Sequence, residues 1–310
     1  MTNISNPGLV SVIIPTYYRN EFLTAAIGSL INQSYQNLEI IVIDDSGEGH
    51  AETTVRRISK NYSPRIKIKY IELEKNCGPQ IARQKGLEIA DGEFIQFFDD
   101  DDKLHRESIE RRINLISTSP NVGVVYSGTE YGDGSVVLPS PDARGDVLKL
   151  ALQFRLSPCT TSNMLIENSI LRQFTPLTDT YTGAGDIAIQ IELAKRTQFD
   201  YISEPLLWSR RTEGSLGVSN KAVRSRLQII RDYSDLYNQY DLKTRKFAIS
   251  DTYILMGRDV LNEKIWSPVA IAAFIKAAYF APEIKLYHLG ELISALGGRP
   301  LRSAIRYFKS

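Results

Sequence analysis

An apolar strand that stops in four consecutive carboxylates, Phe94-Ile95-Gln96-Phe97-Phe98-Asp99-Asp100-Asp101-Asp102, constrains this 310-residue chain more than any other stretch. Two unit charges about 4 Å apart repel by roughly 4 kcal/mol at an effective dielectric near 20. Four carboxylates packed against a hydrophobic strand are therefore unfavourable unless a cation offsets them. A divalent metal is the simplest such cation. Mg²⁺ and Mn²⁺ prefer carboxylate oxygens and complete their shell with water and substrate phosphates, which points to a nucleotide or another phosphate-bearing ligand. An isolated acidic run is ordinarily a solvated turn. Here the strand fixes where the acids sit, and ligands of open parallel sheets bind at the carboxyl ends of strands.

The flanking stretches alternate in type. Residues 9–15 form a β-branched run closed by Pro15, which suits a buried parallel strand. Apolar residues then recur at Phe22, Leu23, Ala26, Ile27, Leu30 and Ile31, the spacing of an amphipathic helix with Asn20 as its expected cap. Residues 38–43 repeat the buried-strand pattern and run into Asp44-Asp45-Ser46-Gly47, a second acidic strand end. A short helix is expected over 51–60, an alternating strand over 66–73, a helix over 80–90, and a helix with Ile109, Ile113 and Ile116 after the acidic run. This order predicts a doubly wound, mostly parallel sheet whose acidic strand ends share one edge. Past residue 120, two strand-like runs flank Gly132-Asp133-Gly134 and another covers 162–166. A helix is expected over 186–196, and the chain from about residue 221 reads as helix throughout.

The net charge of +1 argues for neither nucleic acid nor an acidic partner. Its distribution is uneven, because residues 221–310 carry 15 Lys and Arg against 8 Asp and Glu. Near the end, Arg302, Arg306 and Lys309 stand beside Ile305, Tyr307 and Phe308. Such basic, apolar helices are compatible with peripheral contact with an anionic membrane face, with packing on the body of the chain, or with a homo-oligomer. Cys77 and Cys159 have no neighbour at metal-ligand or CxxC spacing, which fits a reducing, cytoplasmic compartment. The polar start of the chain is not expected to act as a secretory signal.

Five motifs stand in order: Val12-Ile13-Ile14-Pro15-Thr16-Tyr17, Ile41-Val42-Ile43-Asp44-Asp45-Ser46, Asn76-Cys77-Gly78-Pro79 with Ala82-Arg83, Gly92-Glu93-Phe94-Ile95, and the four aspartates. Together they resemble the motif string of family 2 glycosyltransferases with the GT-A fold, over about the first 215 residues. The resemblance implies an α/β, Rossmann-like architecture with a mostly parallel central sheet flanked by helices. It implies a GT-A catalytic domain over 1–220, divided into a nucleotide-binding half (1–120) and an acceptor half (121–220), with a helical C-terminal extension over 221–310. The activity implied is that of an inverting, hexosyltransferase-type enzyme. It would move a sugar from a nucleotide-diphosphate donor, expected to be a UDP-sugar, to a hydroxyl of a glycan or lipid-linked acceptor.

By the same resemblance, Asp44 binds the nucleotide's base, while Pro15, Thr16, Tyr17 and Arg19 line the nucleotide pocket. Gly78 belongs to the loop before the helix bearing Arg83, and Arg83 supports the nucleotide site and can pair with the acidic run. Asp99 and Asp101 match the ends of the family's D-x-D: Asp101, with Asp99, is expected to ligate Mn²⁺ or Mg²⁺. Asp100 or Asp99 would contact ribose or a metal-bound water. Asp102 is expected to cap the following helix, and Asp45 with Ser46 to form the turn after the second strand. The family's Glu-Asp pair is represented by Gly185-Asp186, so Asp186 is the expected general base of a single in-line displacement with inversion. Glu204-Pro205-Leu206-Leu207-Trp208-Ser209-Arg210-Arg211 resembles the family's E-P-L-x-x-Y-R segment. Thr212 stands where many members carry a histidine, and His50, His105 and His288 do not replace it. Diphosphate neutralisation then falls to the metal with Arg210 or Arg211.

Two other classes fit parts of the pattern. A sugar-1-phosphate nucleotidyltransferase also uses an acidic α/β site, but needs a glycine-rich, Arg-containing loop where this chain has Pro15-Thr16-Tyr17-Tyr18. A catalytically inactive, glycan-binding relative is expected to have lost Asp101 or Asp186, and both are present.

Overall fold

The structure, a computed structural model, describes residues 6–62, 66–210, 219–264, 266–284 and 286–307. It divides into two compact units, the first formed by residues 1–148, 156–179 and 189–211, the second by 149–155, 180–188 and 212–310. The first half of the chain contains β1 (Asn6–Thr16), α1 (Asn20–Ile31), β2 (Leu38–Asp44), α2 (Glu52–Tyr62), β3 (Lys67–Glu72), α3 (Pro79–Glu88), β4 (Gly92–Phe97), β5 (Lys103–Leu104), α4 (Ser108–Ser117), β6 (Val122–Tyr131), β7 (Val136–Val137) and α5 (Leu148–Leu152). There follow β8 (Leu165–Glu167), α6 (Asn168–Leu171), α7 (Gly185–Ala194), β9 (Gln198–Ser209), α8 (Asn220–Asp232), α9 (Ser234–Tyr237), α10 (Leu242–Glu263), α11 (Pro268–Phe280) and α12 (Leu286–Tyr307).

In the first unit the nine strands form one sheet in the order β3-β2-β1-β4-β8-β6-β9-β5, with β7 paired to β6. The pairs β1·β2, β1·β4 and β2·β3 are parallel, as the alternating pattern predicts, because each helix returns the chain to the edge it left. Beyond β4 the sheet is mixed: β8 runs antiparallel to β4 and β6, and β6 runs parallel to β9. All of β2 and the middle of β1 are buried, the mark of strands covered on both faces. Val10, Val12 and Ile14 pack with Leu23, Ile27 and Leu30 of α1 on one face. On the other, Gly86 of α3 lies so close to β1 that a Cβ there would come 2.3 Å from Ile13 Cγ2.

Most element boundaries shift by one or two residues from the sequence reading, which does not anticipate β9, and two local differences bear on the loops. Arg19, not Asn20, occupies the N-cap of α1, and the Asn20 amide instead donates to the His50 carbonyl at 3.0 Å. The strand expected over 162–166 begins at Leu165, because Thr161–Asn163 forms a 3-10 turn.

The second unit is helical. Ile254, Leu261, Ala270, Phe274, Ala277 and Ala295 form its core across α10, α11 and α12. Ser219, Asp241 and Ser267 cap α8, α10 and α11 through hydrogen bonds accepted from backbone N–H groups. No helix among the described residues is long and apolar enough to cross a membrane.

Gly92 is the tightest point where β4 meets β1. A Cβ there would lie 2.7 Å from Ser11 N and 2.8 Å from Leu9 O, backbone atoms that cannot yield without breaking the ladder. Gly92→Ala is expected to destabilise the fold by about 2–3 kcal/mol, read as a lowered urea midpoint.

Candidate active site

Strand register builds the site. Thr16 pairs with Asp44, and Asp44 with Glu72, so the carboxyl ends of β1, β2 and β3 stand side by side. Ile13 pairs with Phe97, and Phe98 N donates to the Ile13 carbonyl at 2.9 Å, which carries the acidic run past the end of β1. The Thr16 hydroxyl then donates to Asp100 Oδ2 at 2.7 Å. Arg19 Nη1 lies 3.3 Å from Asp100 Oδ1 and 3.1 Å from Asp101 Oδ2, bridging the two carboxylates. Arg83 Nη2 meets Asp99 Oδ1 at 2.5 Å, while the Asp99 N–H donates to the Ser162 hydroxyl at 2.9 Å. Thr16, Arg19, Arg83, Asp99, Asp100 and Asp101 therefore converge at this edge.

Crowding and burial set the electrostatics. Burial pushes Asp100 up to about 6, against the Thr16 hydroxyl and Arg19, with Asp101 and Asp99 adding to the rise. Burial and the Asp99 charge push Asp101 up as well, Arg19 and Arg210 opposing. Asp102 is buried and pushed well above the carboxylate range by desolvation and Asp99, with hydrogen bonds from Ser162 and Ser209 pulling the other way. It is not a helix cap: α4 starts six residues later behind Glu107, which makes no side-chain cap.

These residues fit a divalent ion. The donors are hard carboxylate oxygens, burial and then mutual repulsion disfavour their charged forms, and one guanidinium already stands as a cation between Asp100 and Asp101. Among the described residues no three His, Cys, Asp or Glu side chains are arranged to hold a metal alone. Mg²⁺ in nucleotide sites is usually held by only one or two carboxylates together with substrate phosphates, so a partial protein shell is the expected one.

The second acidic strand end is wired differently from the expectation. Asp44 is fully buried; its Oδ1 accepts from Ser46 N at 3.0 Å and its Oδ2 from Ala51 N at 2.7 Å and the Tyr70 hydroxyl at 2.8 Å. Burial raises the Asp44 pKa, but these donors outweigh it and hold the carboxyl below its ordinary value. The turn thus belongs to Asp44 and Ser46. Asp45 instead accepts from Cys77 N at 2.7 Å and Gly78 N at 2.9 Å, fixing the loop that opens α3. Gly78 takes a φ of +87°, a conformation side chains rarely adopt. Pro15 lies in register with Ile43. Tyr17 is about half exposed and meets Tyr18 edge to face at 4.7 Å. Tyr18, at a φ of +54°, packs on His50, and its hydroxyl is pushed up to about 12 by its bond to Glu48.

Two residues to which the sequence reading gave no role, Ser162 and Ser209, complete the site, while Asp45, expected in the turn after β2, holds the 77–78 loop instead. The only signal for Ser162 is the polar Thr161-Ser162-Asn163 placed directly before an apolar strand. Glu204 of the E-P-L segment pairs with Arg111, and the Arg210 guanidinium lies 3.9 Å from the centre of the Phe22 ring. Arg211 and Thr212 lie outside the described residues. In the second unit, Asp186 sits in the first turn of α7. The loop before it turns at Gly183, φ +81°, and is tied to α8 by Ser225 Oγ to the Thr182 carbonyl at 3.0 Å and by Tyr181 Oη to Asp232 at 2.9 Å.

Residues 11–175 match the model of Glycosyl transferase family 2. The GalNAc(5)-diNAcBac-PP-undecaprenol beta-1,3-glucosyltransferase of Campylobacter jejuni is 40% identical over 95 residues, 31% of this chain and 30% of that protein. This chain spans less than half the length of several curated relatives that it matches. Among solved structures, TarS of S. aureus is similar at a TM-score of 0.63 and 16% identity, covering 96% of this chain and 91% of that one. TarS has also been crystallised with UDP-GlcNAc. The mannosyltransferase PcManGT of Pyrobaculum calidifontis, in complex with GDP-Man and Mn²⁺, has a TM-score of 0.58 at 18% identity, covering 97% of this chain and 85% of that one. At these identities the two structures establish the shared GT-A fold.

The raised Asp100 carboxyl gives a signed prediction. Its folded-state pKa, about 6 against 3.8, means the native state binds the extra proton between those values, so its contribution to stability falls as pH rises through that window. The stability difference between Asp100→Asn and the parent, measured without metal, is expected to move in the variant's favour by about 2 kcal/mol between pH ~4 and ~7.

Proposed function

The chain belongs to glycosyl transferase family 2, and from that premise we propose that it is an inverting transferase moving a sugar from a UDP-sugar to a hydroxyl of a glycan or lipid-linked acceptor. The observation that carries the reading is the aspartate quartet at the sheet's carboxyl edge, where two guanidiniums serve four carboxylates and the remaining repulsion favours a further cation. Support for a uridine donor comes from the TarS complex with UDP-GlcNAc, and for a lipid-linked acceptor from the name of the Campylobacter relative.

In this reading Pro15, Thr16, Tyr17, Arg19, Asp44, Gly78, Arg83, Asp99 and Asp100 form the nucleotide subsite. Asp44 contributes to the base pocket by fixing the 44–51 turn, and Tyr17 offers an exposed ring. Arg83 holds Asp99 in place, and Thr16 with Arg19 holds Asp100. Asp101, with Asp99, would hold Mn²⁺ or Mg²⁺; when bound, such an ion supplies positive charge against the departing diphosphate. Arg210 adds cationic charge at the same edge. Asp186 takes the proton from the acceptor hydroxyl as its oxygen bonds to the anomeric carbon. The bond from that carbon to the diphosphate breaks on the opposite side, UDP leaves with the bonding pair, and the configuration inverts.

The proposed division of labour is residues 1–120 for the nucleotide, 121–220 for the acceptor and 221–310 as a helical extension. Cys77 and Cys159 are not joined in a disulfide, which fits a reducing compartment, and a lipid-linked acceptor would place the enzyme at the cytoplasmic membrane face.

Assays of UDP-, GDP- and dTDP-sugar turnover with and without Mn²⁺ are expected to show metal-dependent release of UDP alone; equal turnover with EDTA would overturn the metal assignment. Asp186→Asn is expected to lower transfer by about 10²–10⁴-fold while UDP-sugar binding persists, and parental transfer rates would remove it as the base. Asp101→Ala is expected to weaken UDP binding by about tenfold in Mn²⁺ and to leave metal-free binding unchanged, measured by calorimetry.

A further inference from the structure

The second unit holds an apolar surface that its own core does not use. On α12, Ser294 and Ala295 are buried, with His288, against the rest of the unit. Leu286, Leu289, Ile293 and Leu296 are 87%, 47%, 53% and 60% exposed. Their spacing of three, four and three places them in one stripe along the helix. The neighbouring α11 adds Ile275 at 53% and Tyr279 at 81% exposure. A surface helix needs one apolar face to join a core; α12 has two. Contiguous exposed apolar surface of this kind marks a contact with another phase or partner.

We infer that the exposed stripe of α12, with the adjoining residues of α11, docks the protein on the surface of an anionic lipid bilayer. Charge complementarity selects this occupant. The sequence from 221 to 310 carries 15 Lys and Arg against 8 Asp and Glu, and Arg299, Arg302, Arg306 and Lys309 follow directly after Leu296. A second copy would bring the same excess positive charge against itself, whereas an anionic leaflet attracts it. An amphipathic helix with apolar residues on one side and an excess of Lys and Arg lies in the interface plane rather than spanning it, in keeping with the lack of a spanning helix among the described residues. The physical case for the surface stands alone; its purpose, bringing the enzyme to a lipid-linked acceptor, rests on the function proposed above.

The test is co-sedimentation of the full chain with phosphatidylglycerol-containing vesicles and with pure phosphatidylcholine vesicles. Binding is expected to be at least about tenfold tighter to the anionic vesicles and to weaken with added salt. The double variant Leu289→Asp/Ile293→Asp is expected to lose that binding at least about tenfold, while its helical content and UDP-sugar affinity match the parent. As the two side chains are already exposed, misfolding would appear in the helical signal, and Leu286→Asn provides a milder second variant with a smaller loss. Equal partitioning of parent and variant, or a parent dimer that the variant converts to monomer with vesicle binding unchanged, would overturn the inference. Vesicle binding in a chain that takes up no nucleotide sugar would sustain it and overturn the transferase reading instead.

Discussion

The carboxyl edge of the sheet depends on holding four consecutive carboxylates together, two of them, Asp100 and Asp102, buried. Each is handled by a different group. Asp99 is paired with Arg83, Asp100 takes the Thr16 hydroxyl and part of Arg19, Asp101 takes the rest of Arg19, and Asp102 is met by the hydroxyls of Ser162 and Ser209. Hydroxyls orient a carboxylate without cancelling its charge. Burial and repulsion therefore persist as raised pKa values at Asp100, Asp101 and Asp102. Such an arrangement is stable only because the strand beneath it is locked between β1 and β8 and cannot relax away from the strain.

The groups that set this geometry come from well beyond the acidic run. Asn163 lies at the centre of a buried network: it accepts from Arg112 at 2.8 Å and from Ser127 N at 3.1 Å, and donates to the Ser127 carbonyl at 2.6 Å and to Pro158 O at 3.1 Å. Arg112 is fully buried, and desolvation pushes it down to about 9. Its Nη2 donates to Ser127 Oγ and Asn163 Oδ1, while its buried Nε and Nη1 find no hydrogen-bond partner among the described residues, so the guanidinium carries a desolvation cost. The network anchors the Thr161–Asn163 turn, whose middle residue Ser162 binds both Asp99 and Asp102. Through that turn, α4 and β6 bear on the aspartates without touching a substrate.

Much of the first unit was legible because its signals are local. An apolar run, β-branched before Asp44 and aromatic-rich before Asp99, reads as a buried parallel strand with its acids at the ligand edge, and the register of β1, β2 and β4 agrees. What was not legible depends on which side chain reaches which backbone group across a gap in sequence. Asp44 and Asp45 are chemically identical, and only the course of the loop at 77–78 decides that the second holds that loop while the first closes its own turn. Arg112 sits on the same helix as exposed charges and carries no mark of burial. β9 escapes because exposed and half-buried residues interrupt its apolar pattern.

The helical unit raises the same physical question in apolar form. Its core is drawn from α10, α11 and α12, each of which buries one apolar stripe. α12 carries in addition a row of exposed apolar side chains, Leu286, Leu289, Ile293 and Leu296, whose removal from water would be favourable. A chain that keeps such residues exposed forgoes solubility unless another surface takes them up. At the sheet edge the unmet requirement is for positive charge, and along α12 it is for an apolar phase beside negative charge. Each follows from what the fold leaves uncompensated, and the two can be tested independently because they lie in different units of the chain.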